Sequence, residues 1–357
     1  MSLLVNIEKR LGDFRLQTDL RADDGVLALL GASGCGKSMT LKCIAGIERP
    51  DRGRIEVDGR VLFDSEHHID LSPQKRRTGL LFQNYALFPN MTVEQNIRCG
   101  VRRDPRGGEE KVRKIMERFH LDDLKKHYPH QLSGGQQQRV ALGRILVSSP
   151  DVLLLDEPFS ALDSHLRFRL EQEVRQIIRD FGKTVVLVSH DRDEVFRLSD
   201  RIAVMDGGKV DVCGEKAAVF ADPRTRAAAL LTGCKNISPI QKLDEHRILA
   251  TDWGLTLTLE RPVGDAAFVG IRMHDVGPGT GENAFRLAVE EVVENPFSYT
   301  VALKSPEGTA SLFWDVDKAL WRKIQAPTSF FRSRRINRIG VPSRGNVFLN
   351  QFSRYRS

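Results

Sequence analysis

The chain has 357 residues, a formal net charge of +7, and 41% hydrophobic and 28% charged residues. This length predicts two domains, or one large domain with an appendage. Residues 328–357 contain seven arginines and no Lys, Asp or Glu, so this segment accounts for the whole excess of positive charge. Residues 1–327 are therefore neutral overall, which argues against a folded nucleic-acid-binding face.

The cysteines and the lengths of the apolar runs bear on the cellular compartment and on whether the chain spans a membrane. Five scattered cysteines form no CxxC pair, which favours a reduced cytosolic compartment over a disulfide framework. The first ten residues mix acids and bases, so no secretory signal is expected. No apolar run approaches the roughly 18 residues that a membrane-spanning helix needs. At a membrane, this chain would need a partner that crosses the bilayer.

Residues 1–233 alternate short apolar runs with amphipathic stretches, a pattern that predicts α/β layering. The runs at 26–30, 152–155 and 185–188 are continuously apolar, as in parallel strands covered on both faces. Residues 84–131 carry no strand pattern and are expected to form a helical subdomain. We therefore assign residues 1–233 to one α/β domain.

The residue pattern of the sequence changes after Cys234. Residues 234–327 contain short strand-like segments separated by Gly, Pro, Asn and Asp, which predicts a small β-barrel domain. The remaining segment, 328–357, is rich in Arg, Ser and Asn, and we expect a disordered or altered tail.

A phosphate-binding loop follows the first buried strand. The segment matches G-x-x-x-x-G-K-[ST], and residues 39–47 can form the helix behind it. Glycines let backbone N–H groups surround a phosphate at a helix N-terminus, while the lysine bridges phosphates and the serine hydroxyl binds Mg²⁺. The predicted nucleotide-binding residues here are Gly31, Ala32, Ser33, Gly34, Cys35, Gly36, Lys37, Ser38 and Met39.

Two further segments contain residues suited to catalysis or to anion binding. The apolar strand at 152–155 ends in Asp156 and Glu157, and burying two acids is costly unless they have a function. Asp156 suits the surroundings of Mg²⁺, and Glu157 suits a base that polarises the attacking water. Ser133 and two glycines open an amphipathic helix, which provides a second anion-receiving helix end. A chain with one phosphate-binding loop but two anion-receiving helix ends is explained if two copies of the chain face each other.

Taken in order, these motifs resemble the ATP-binding subunit of an ABC transporter. The resemblance covers residues 1–233 and implies a P-loop NTPase fold, with an ABC ATPase cassette that carries a helical subdomain. It further implies a homodimer that sandwiches ATP and Mg²⁺. The resemblance assigns Lys37, Glu157 and His190 to catalysis and Ser38, Gln83 and Asp156 to Mg²⁺. It assigns a set of residues to the partner's nucleotide, in trans: Ser133, Gly134, Gly135, Gln136 and Asp163.

The site for the adenine base departs from the family pattern. Leu11 stands where the family usually supplies an aromatic ring for stacking on adenine. Phe14 lies nearby and either stacks on the base or belongs to the core of its strand.

The single cassette, the 49 residues between Gln83 and Ser133, and the β-rich appendage favour an importer subunit. Residues 231–238, 270–276, 290–301 and 311–314 resemble molybdate- and sulfate-type importers, whose oligobinding (MOP-like) barrel binds oxyanions. The resemblance implies an ATPase at the cytoplasmic face of the cell membrane, with a permease, an external substrate-binding protein and a molybdate or sulfate cargo. Oxyanion would then be a regulatory ligand of the barrel, unless the barrel serves only dimerisation.

Other readings remain open. Iron, polyamine or sugar could be the cargo, because the permease and the external binding protein select it. In a different class, a soluble ABC ATPase would act on nucleic acid or protein, although the β-rich appendage favours the importer and no nucleic-acid partner is expected.

Overall fold

The computed structural model describes residues 2–101, 107–160, 164–279, 282–325, 335–340 and 347–351. The chain divides into two compact units, Met1–Lys216 and Ala217–Ser357. The domain boundary after residue 233 stays a prediction.

The strands of the first unit are β1 Leu3–Leu11, β2 Phe14–Ala22, β3 Gly25–Gly31, β4 Arg52–Val57, β5 Arg60–Asp64, β6 Ile69–Asp70, β7 Thr78–Leu81, β8 Val152–Asp156, β9 Thr184–Ser189, β10 Arg201–Asp206 and β11 Lys209–Glu215. The helices that begin before residue 200 are α1 Lys37–Ala45, α2 Pro73–Arg76, α3 Val93–Arg98, α4 Gly108–Arg118, α5 Gly134–Leu146, α6 Ser164–Phe181 and α7 Arg192–Leu198. Short 3-10 turns lie at Asp122–Leu124 and Pro129–Gln131.

These strands form one sheet in the order β6-β5-β4-β1-β2-β11-β10-β3-β9-β8-β7. Strands β10, β3, β9, β8 and β7 are parallel to one another, whereas β10 is antiparallel to β11 and β1 is antiparallel to β2 and β4. Every residue of β8 and β9 is buried, as their continuous apolar sequences predict. The α/β layering expected from the sequence is confirmed.

Among the described residues between β7 and α5, the regular elements are helices and 3-10 turns. Helices α3 and α4 lie in this stretch, and α3 begins at a capping box in which Thr92 accepts a hydrogen bond from the backbone N–H of Gln95. The helical subdomain expected at residues 84–131 stays a prediction.

Helix α8 Lys216–Ala221 begins at the last residue of the first unit and continues into the second. The second unit further contains α9 Arg226–Leu231, α10 Lys318–Gln325 and the strands β12 Asn236–Lys242, β13 Arg247–Ala250, β14 Leu255–Thr258, β15 Ala266–Ile271, β16 Gly277–Pro278, β17 Ala284–Glu294, β18 Ser298–Lys304, β19 Leu312–Asp317, β20 Arg335–Gly340 and β21 Val347–Gln351. A 3-10 turn lies at Met273–Asp275. The strands form two five-stranded sheets, β14-β13-β12-β15-β21 and β16-β20-β17-β18-β19.

The core of this unit contains Trp253, Trp314 and Trp321. The rings of Trp314 and Trp321 meet edge to face, with 6.1 Å between their centroids. This core belongs to an antiparallel β-rich unit, as the turn-rich sequence after Cys234 predicts.

Part of the arginine-rich tail differs from the expectation of disorder. Strand β20 pairs with β17, and β21 pairs with β15, both antiparallel. For these two segments the expectation fails, because backbone hydrogen bonding to existing strands orders sequence that shows little periodicity of its own.

Within the part of the chain that the structure describes, every helix is too short or too polar to cross a membrane.

Candidate nucleotide site

The candidate site lies where neighbouring parallel strands end. The loop from residue 31 follows β3, the acids follow β8, His190 follows β9 and Gln83 follows β7. Since β3, β9, β8 and β7 are adjacent and parallel, their carboxyl ends share one edge of the sheet. Segments far apart in sequence therefore meet at this edge.

The loop between β3 and α1 depends on glycine for its shape. Gly36 caps α1 with φ of 102°, a left-handed conformation that residues with a Cβ rarely adopt. A Cβ on Gly36 would lie 2.5 Å from Cδ1 of Leu16 and 3.3 Å from Cζ of Phe14. The backbone thus packs against β2, and only glycine fits there.

Lys37 is a buried cation held by backbone oxygens. Its side chain donates to the carbonyl oxygens of Gly31 and Ala32, at 2.7 and 2.9 Å, and the residue is 5% exposed. Within the described residues, no carboxylate forms an ion pair with Lys37. A buried ammonium with neutral partners alone is unfavourable, so this position suits an anion such as a phosphate.

Ser38 and Asp156 are in direct contact. The Ser38 hydroxyl donates to Oδ1 of Asp156 at 2.7 Å. Burial raises the pKa of Asp156, and the neighbouring Glu157 raises it further, whereas the hydrogen bond from Ser38 lowers it. A buried carboxylate with a raised pKa favours a cation beside it.

The donor set fits Mg²⁺. Ser38 offers a hydroxyl oxygen, Asp156 a carboxylate, and Gln83, close to Glu157, an amide oxygen. These are the hard oxygen ligands that Mg²⁺ prefers, usually completed by water and substrate phosphates.

Glu157 has a strained backbone. Its φ is 45°, in the left-handed region that a residue with a long side chain rarely adopts. The backbone N–H of Glu157 donates to the carbonyl of Val188 at 3.0 Å, and the hydroxyl of Ser160 donates to the carbonyl of Glu157 at 3.0 Å. Strain of this kind persists where the surroundings hold the residue, and it is typical of active sites.

The side chain of Glu157 lies between two other predicted site residues. Nδ1 of His190 is 3.2 Å from one carboxylate oxygen, and Nε2 of Gln83 donates to the other at 3.4 Å. The His190 side chain is 57% exposed and that of Glu157 is 19% exposed, so both are within reach of a bound molecule. The structure thus brings together Gln83, Asp156, Glu157 and His190, and the role of each stays a prediction.

The second helix end is built by a capping box at Ser133. Its hydroxyl accepts from the backbone N–H of Gln136, and the Gln136 side chain accepts from the backbone N–H of Ser133, at 3.4 and 2.8 Å. Ser133 is exposed, so this end of α5 is presented to solvent in the single chain. Asp163, also predicted to act in trans, lies outside the described residues.

The position for an adenine-stacking ring differs from the family pattern in structure as well as in sequence. Leu11, at the end of β1, is 39% exposed. Phe14 is partly buried, packs on the core of the first unit and lies beside Gly36. Phe14 therefore supports the loop from within the sheet, and its role towards the base stays a prediction.

Comparison with known proteins identifies the family. The sequence pattern of the ABC transporter family matches residues 16–160. The sulfate/thiosulfate import ATP-binding protein CysA 2 of Chromobacterium violaceum is 40% identical over 70% of this chain and 67% of that protein. The spermidine/putrescine import ATP-binding protein PotA of Rubrobacter xylanophilus is 37% identical over 85% of this chain and 84% of that protein. The chain belongs to the ABC transporter ATPase family.

A molybdate-related member and a solved cassette extend this comparison. The molybdenum import ATP-binding protein ModC of Paramagnetospirillum magneticum is 43% identical over 62% of this chain, and the match spans 61% of that relative's length. The dimeric structure of MJ0796, a bacterial ABC transporter cassette, has a TM-score of 0.52 and 30% identity, and it covers 60% of this chain and 99% of that chain. The predicted fold class, an ABC ATPase cassette followed by a β-barrel-like domain, is confirmed.

Sequence reasoning did not find several residues that shape this site. Ser160 holds the carbonyl of Glu157, while Ser189 and Glu194 flank the turn at His190. A capping pattern, an Asp followed three positions later by Glu, is visible in Asp191 and Glu194 and could have marked this turn. The contact between Ser189 and Glu194 depends on the tertiary turn and has no sequence signal.

Proposed function

We propose that this chain is the ATP-hydrolysing subunit of an ABC importer for an inorganic oxyanion, molybdate first and sulfate second. The observation that carries the hydrolytic part is the position of the Glu157 carboxylate between His190 and Gln83, beside the contact of Ser38 with Asp156. Family membership and the import relatives support the transport part.

The loop residues bind the triphosphate of ATP. Residues 31–38 supply backbone N–H groups at the start of α1, and Lys37 exchanges its carbonyl partners for phosphate oxygens. This exchange compensates the buried ammonium with a charged group instead of a dipole. Ser38, Gln83 and Asp156 would hold Mg²⁺, which would neutralise charge on the phosphates.

Glu157 acts as the base towards the attacking water. Its carboxylate is fixed from both sides by His190 and Gln83, so its free oxygen lone pairs have a defined direction. In this proposal His190, whose side chain is more exposed than that of Glu157, contacts the γ-phosphate and the water together. The strained backbone of Glu157 keeps the carboxylate at the strand end instead of turning it into solvent.

A second copy of the chain completes each site. Ser133, Gly134, Gly135 and Gln136 then contact ATP bound to the partner's loop, and Asp163 links the two sites. The exposure of Ser133 supports this assignment, because a capping serine directed at solvent is free to receive a phosphate. The dimeric cassette structures among the solved relatives also support it.

The partners and location follow from the importer assignment. The homodimer works at the cytoplasmic face of the cell membrane on two copies of a permease, with a substrate-binding protein outside. Closure on ATP and reopening after hydrolysis drive a conformational change in the permease. No nucleic-acid partner is needed for this cycle.

A polyamine cargo is the second candidate. The relative that covers 85% of this chain is a spermidine/putrescine import ATP-binding protein, whereas the molybdenum and sulfate relatives cover 62% and 70%. Uptake of labelled molybdate, sulfate and spermidine should be compared in cells that lack this gene and in cells complemented with it. Restored molybdate or sulfate uptake supports the oxyanion assignment, and restored spermidine uptake alone replaces it.

The hydrolytic role is tested with Glu157→Gln. Because a base in this position contributes about 10²- to 10⁴-fold, we expect ATP to bind and turnover to fall by at least about 100-fold. Glu117→Gln, the same chemical change at a side chain that is 72% exposed on α4, is the matched control. Lys37→Ala should lose phosphate contacts and turnover together. Normal ATPase turnover in the Glu157 variant would remove it from the role of base.

We further propose that the second unit binds oxyanion and holds the importer idle. Backbone amides with Lys and Ser donors suit a tetrahedral anion through charge-assisted hydrogen bonds. Calorimetry with molybdate should use the full chain carrying Lys37→Ala, so that the phosphate loop does not compete for the anion. Absence of heat at millimolar molybdate contradicts the regulatory role and leaves the barrel as a dimerisation unit.

A further inference from the structure

A cluster of polar and charged side chains joins α6 and α7 next to the turn that carries His190. Ser189 is 2% exposed and Glu194 is 4% exposed, so both are inside the protein. Arg167 on α6 and Asp191 at the start of α7 complete the cluster. None of these residues belongs to the nucleotide-binding motifs described above.

The Ser189 hydroxyl makes two hydrogen bonds that fix the turn containing His190. It donates to Oε2 of Glu194 at 2.7 Å and accepts from the backbone N–H of Asp191 at 3.0 Å. His190 lies between these two hydrogen-bonded residues in the chain. The backbone on both sides of His190 is therefore fixed, and its ring is held 3.2 Å from Glu157.

Arg167 connects this turn to α6. Its Nη1 is 3.4 Å from Oδ2 of Asp191 and 3.7 Å from Oε1 of Glu194. The other oxygen of Asp191 accepts from the backbone N–H groups of Asp193 and Glu194, which fixes the start of α7. Glu194 thus contacts both the hydroxyl that holds the turn and the guanidinium of the neighbouring helix.

The burial of Glu194 needs a reason beyond helix packing. Burial raises the pKa of Glu194, although the hydrogen bond from Ser189 and the charge of Arg167 oppose this effect. Helices α6 and α7 are already joined by another ion pair, in which Arg197 binds Glu171 at 2.6 and 2.9 Å. A second buried acid between the same helices adds desolvation cost with little gain in packing.

We propose that Glu194 is a positioning residue for His190. It acts through the Ser189 hydroxyl, which sets the turn, and through Arg167, which ties that turn to α6. This inference rests on the proposed role of His190 in ATP hydrolysis. Glu194 itself touches neither ATP nor the water.

A double-mutant cycle in the full chain tests the proposal. If Glu194 acts only through His190, Glu194→Ala lowers kcat about tenfold because the transition state is stabilised less well. The same change in a His190→Ala background lowers kcat less than about twofold, because the effects of coupled residues are not additive. KM for ATP stays within about twofold, since the phosphate loop is unchanged.

Two further variants separate positioning from stability. Glu171→Ala removes the parallel ion pair with Arg197 and is expected to lower stability while kcat stays within about twofold. Ser189→Ala removes only the hydroxyl oxygen and should lower kcat as much as Glu194→Ala does. If Glu194→Ala does not fold, Ser189→Ala replaces it in the double-mutant cycle. Tenfold losses in both backgrounds, or an equal loss of kcat in Glu171→Ala, would overturn the proposal.

An NMR measurement keeps this test separate from the proposed function. In the nucleotide-free chain with labelled histidine, the ring resonance of His190 is identified by its loss in His190→Ala. It should move in Glu194→Ala and remain in place in Glu171→Ala. An unmoved resonance in Glu194→Ala overturns the positioning role, whereas a moved resonance in a chain without ATPase turnover refutes only the proposed function.

Discussion

Arg76 offers a quantitative test of how the first unit is held together. Its side chain is fully buried at the end of α2. The guanidinium donates to the carbonyls of Leu71, Cys43 and Ile44 at 2.7, 2.7 and 3.1 Å, and to Oδ1 of Asp70 at 2.9 Å. Cys43 and Ile44 lie in the last turn of α1, so a cation caps the carboxyl end of the helix whose other end would receive phosphate.

The expected cost of Arg76→Met follows from these contacts. Methionine fills part of the volume but removes the donor from three carbonyls, two of which belong to the fully buried Cys43 and Ile44. Asp70 is 39% exposed and keeps Arg49 at 3.5 Å, so its loss of Arg76 adds little. Leaving a buried acceptor without its donor costs about 1–3 kcal/mol, so the two buried carbonyls give a loss of about 2–6 kcal/mol. With a urea dependence of about 2–3 kcal/mol per molar for a unit of this size, the midpoint of unfolding should fall by about 0.7–3 M.

Urea unfolding followed by two probes measures this loss. Far-UV circular dichroism reports on both units, whereas the three tryptophans of the chain, Trp253, Trp314 and Trp321, all lie in the second unit. We expect Arg76→Met to shift the dichroism transition that belongs to the first unit. Arg77→Met is the matched control, because Arg77 pairs with Asp151 at 3.0 Å but is 47% exposed, so its loss should cost less than about 1 kcal/mol.

Equal effects of the two arginine variants would refute the reasoning. So would a loss below about 1 kcal/mol for Arg76→Met, which would mean that water satisfies the carbonyls after the guanidinium is removed. A shift confined to tryptophan fluorescence would place the effect in the wrong unit.

Three further predictions concern the nucleotide site. In the nucleotide-free chain the pKa of Asp156 is raised, so its ionisation lowers the stability of the fold as pH rises from the ordinary value of 3.8 through the folded-state pKa. Asp156→Asn should therefore stabilise the chain near pH 7 and give no gain below pH 3.8. Urea unfolding at both pH values checks this, and a variant less stable than the parent chain at pH 7 contradicts it. The same variant should lose Mg²⁺-dependent ATPase turnover, since it removes a ligand charge. Gly36→Ala should weaken ATP binding and stability more than Gly34→Ala, because a Cβ on Gly34 would have no atom within 4 Å while φ is positive at both; equal losses in ATP titration and unfolding would mean that backbone strain alone matters.

The sequence by itself determined the local parts of the site. The glycine and lysine pattern of the loop, the apolar strand before Asp156 and the serine before α5 are local signals, because helix starts and buried strands follow from short-range sterics and hydrogen bonding. Short strand-like segments separated by turn residues likewise predicted strands in the second unit, as with Leu255–Thr258 and Ser298–Lys304.

Only the tertiary structure decided which of these parts meet. Gln83 and His190 contact Glu157 because β7 and β9 lie on either side of β8, an order that strand patterns alone do not specify. The left-handed backbone of Glu157, the cap that Arg76 forms on α1 and the link from Glu194 to Ser189 all join residues from different elements. Their energies depend on burial and on distances fixed by packing, which are properties of the folded chain and not of any segment of it.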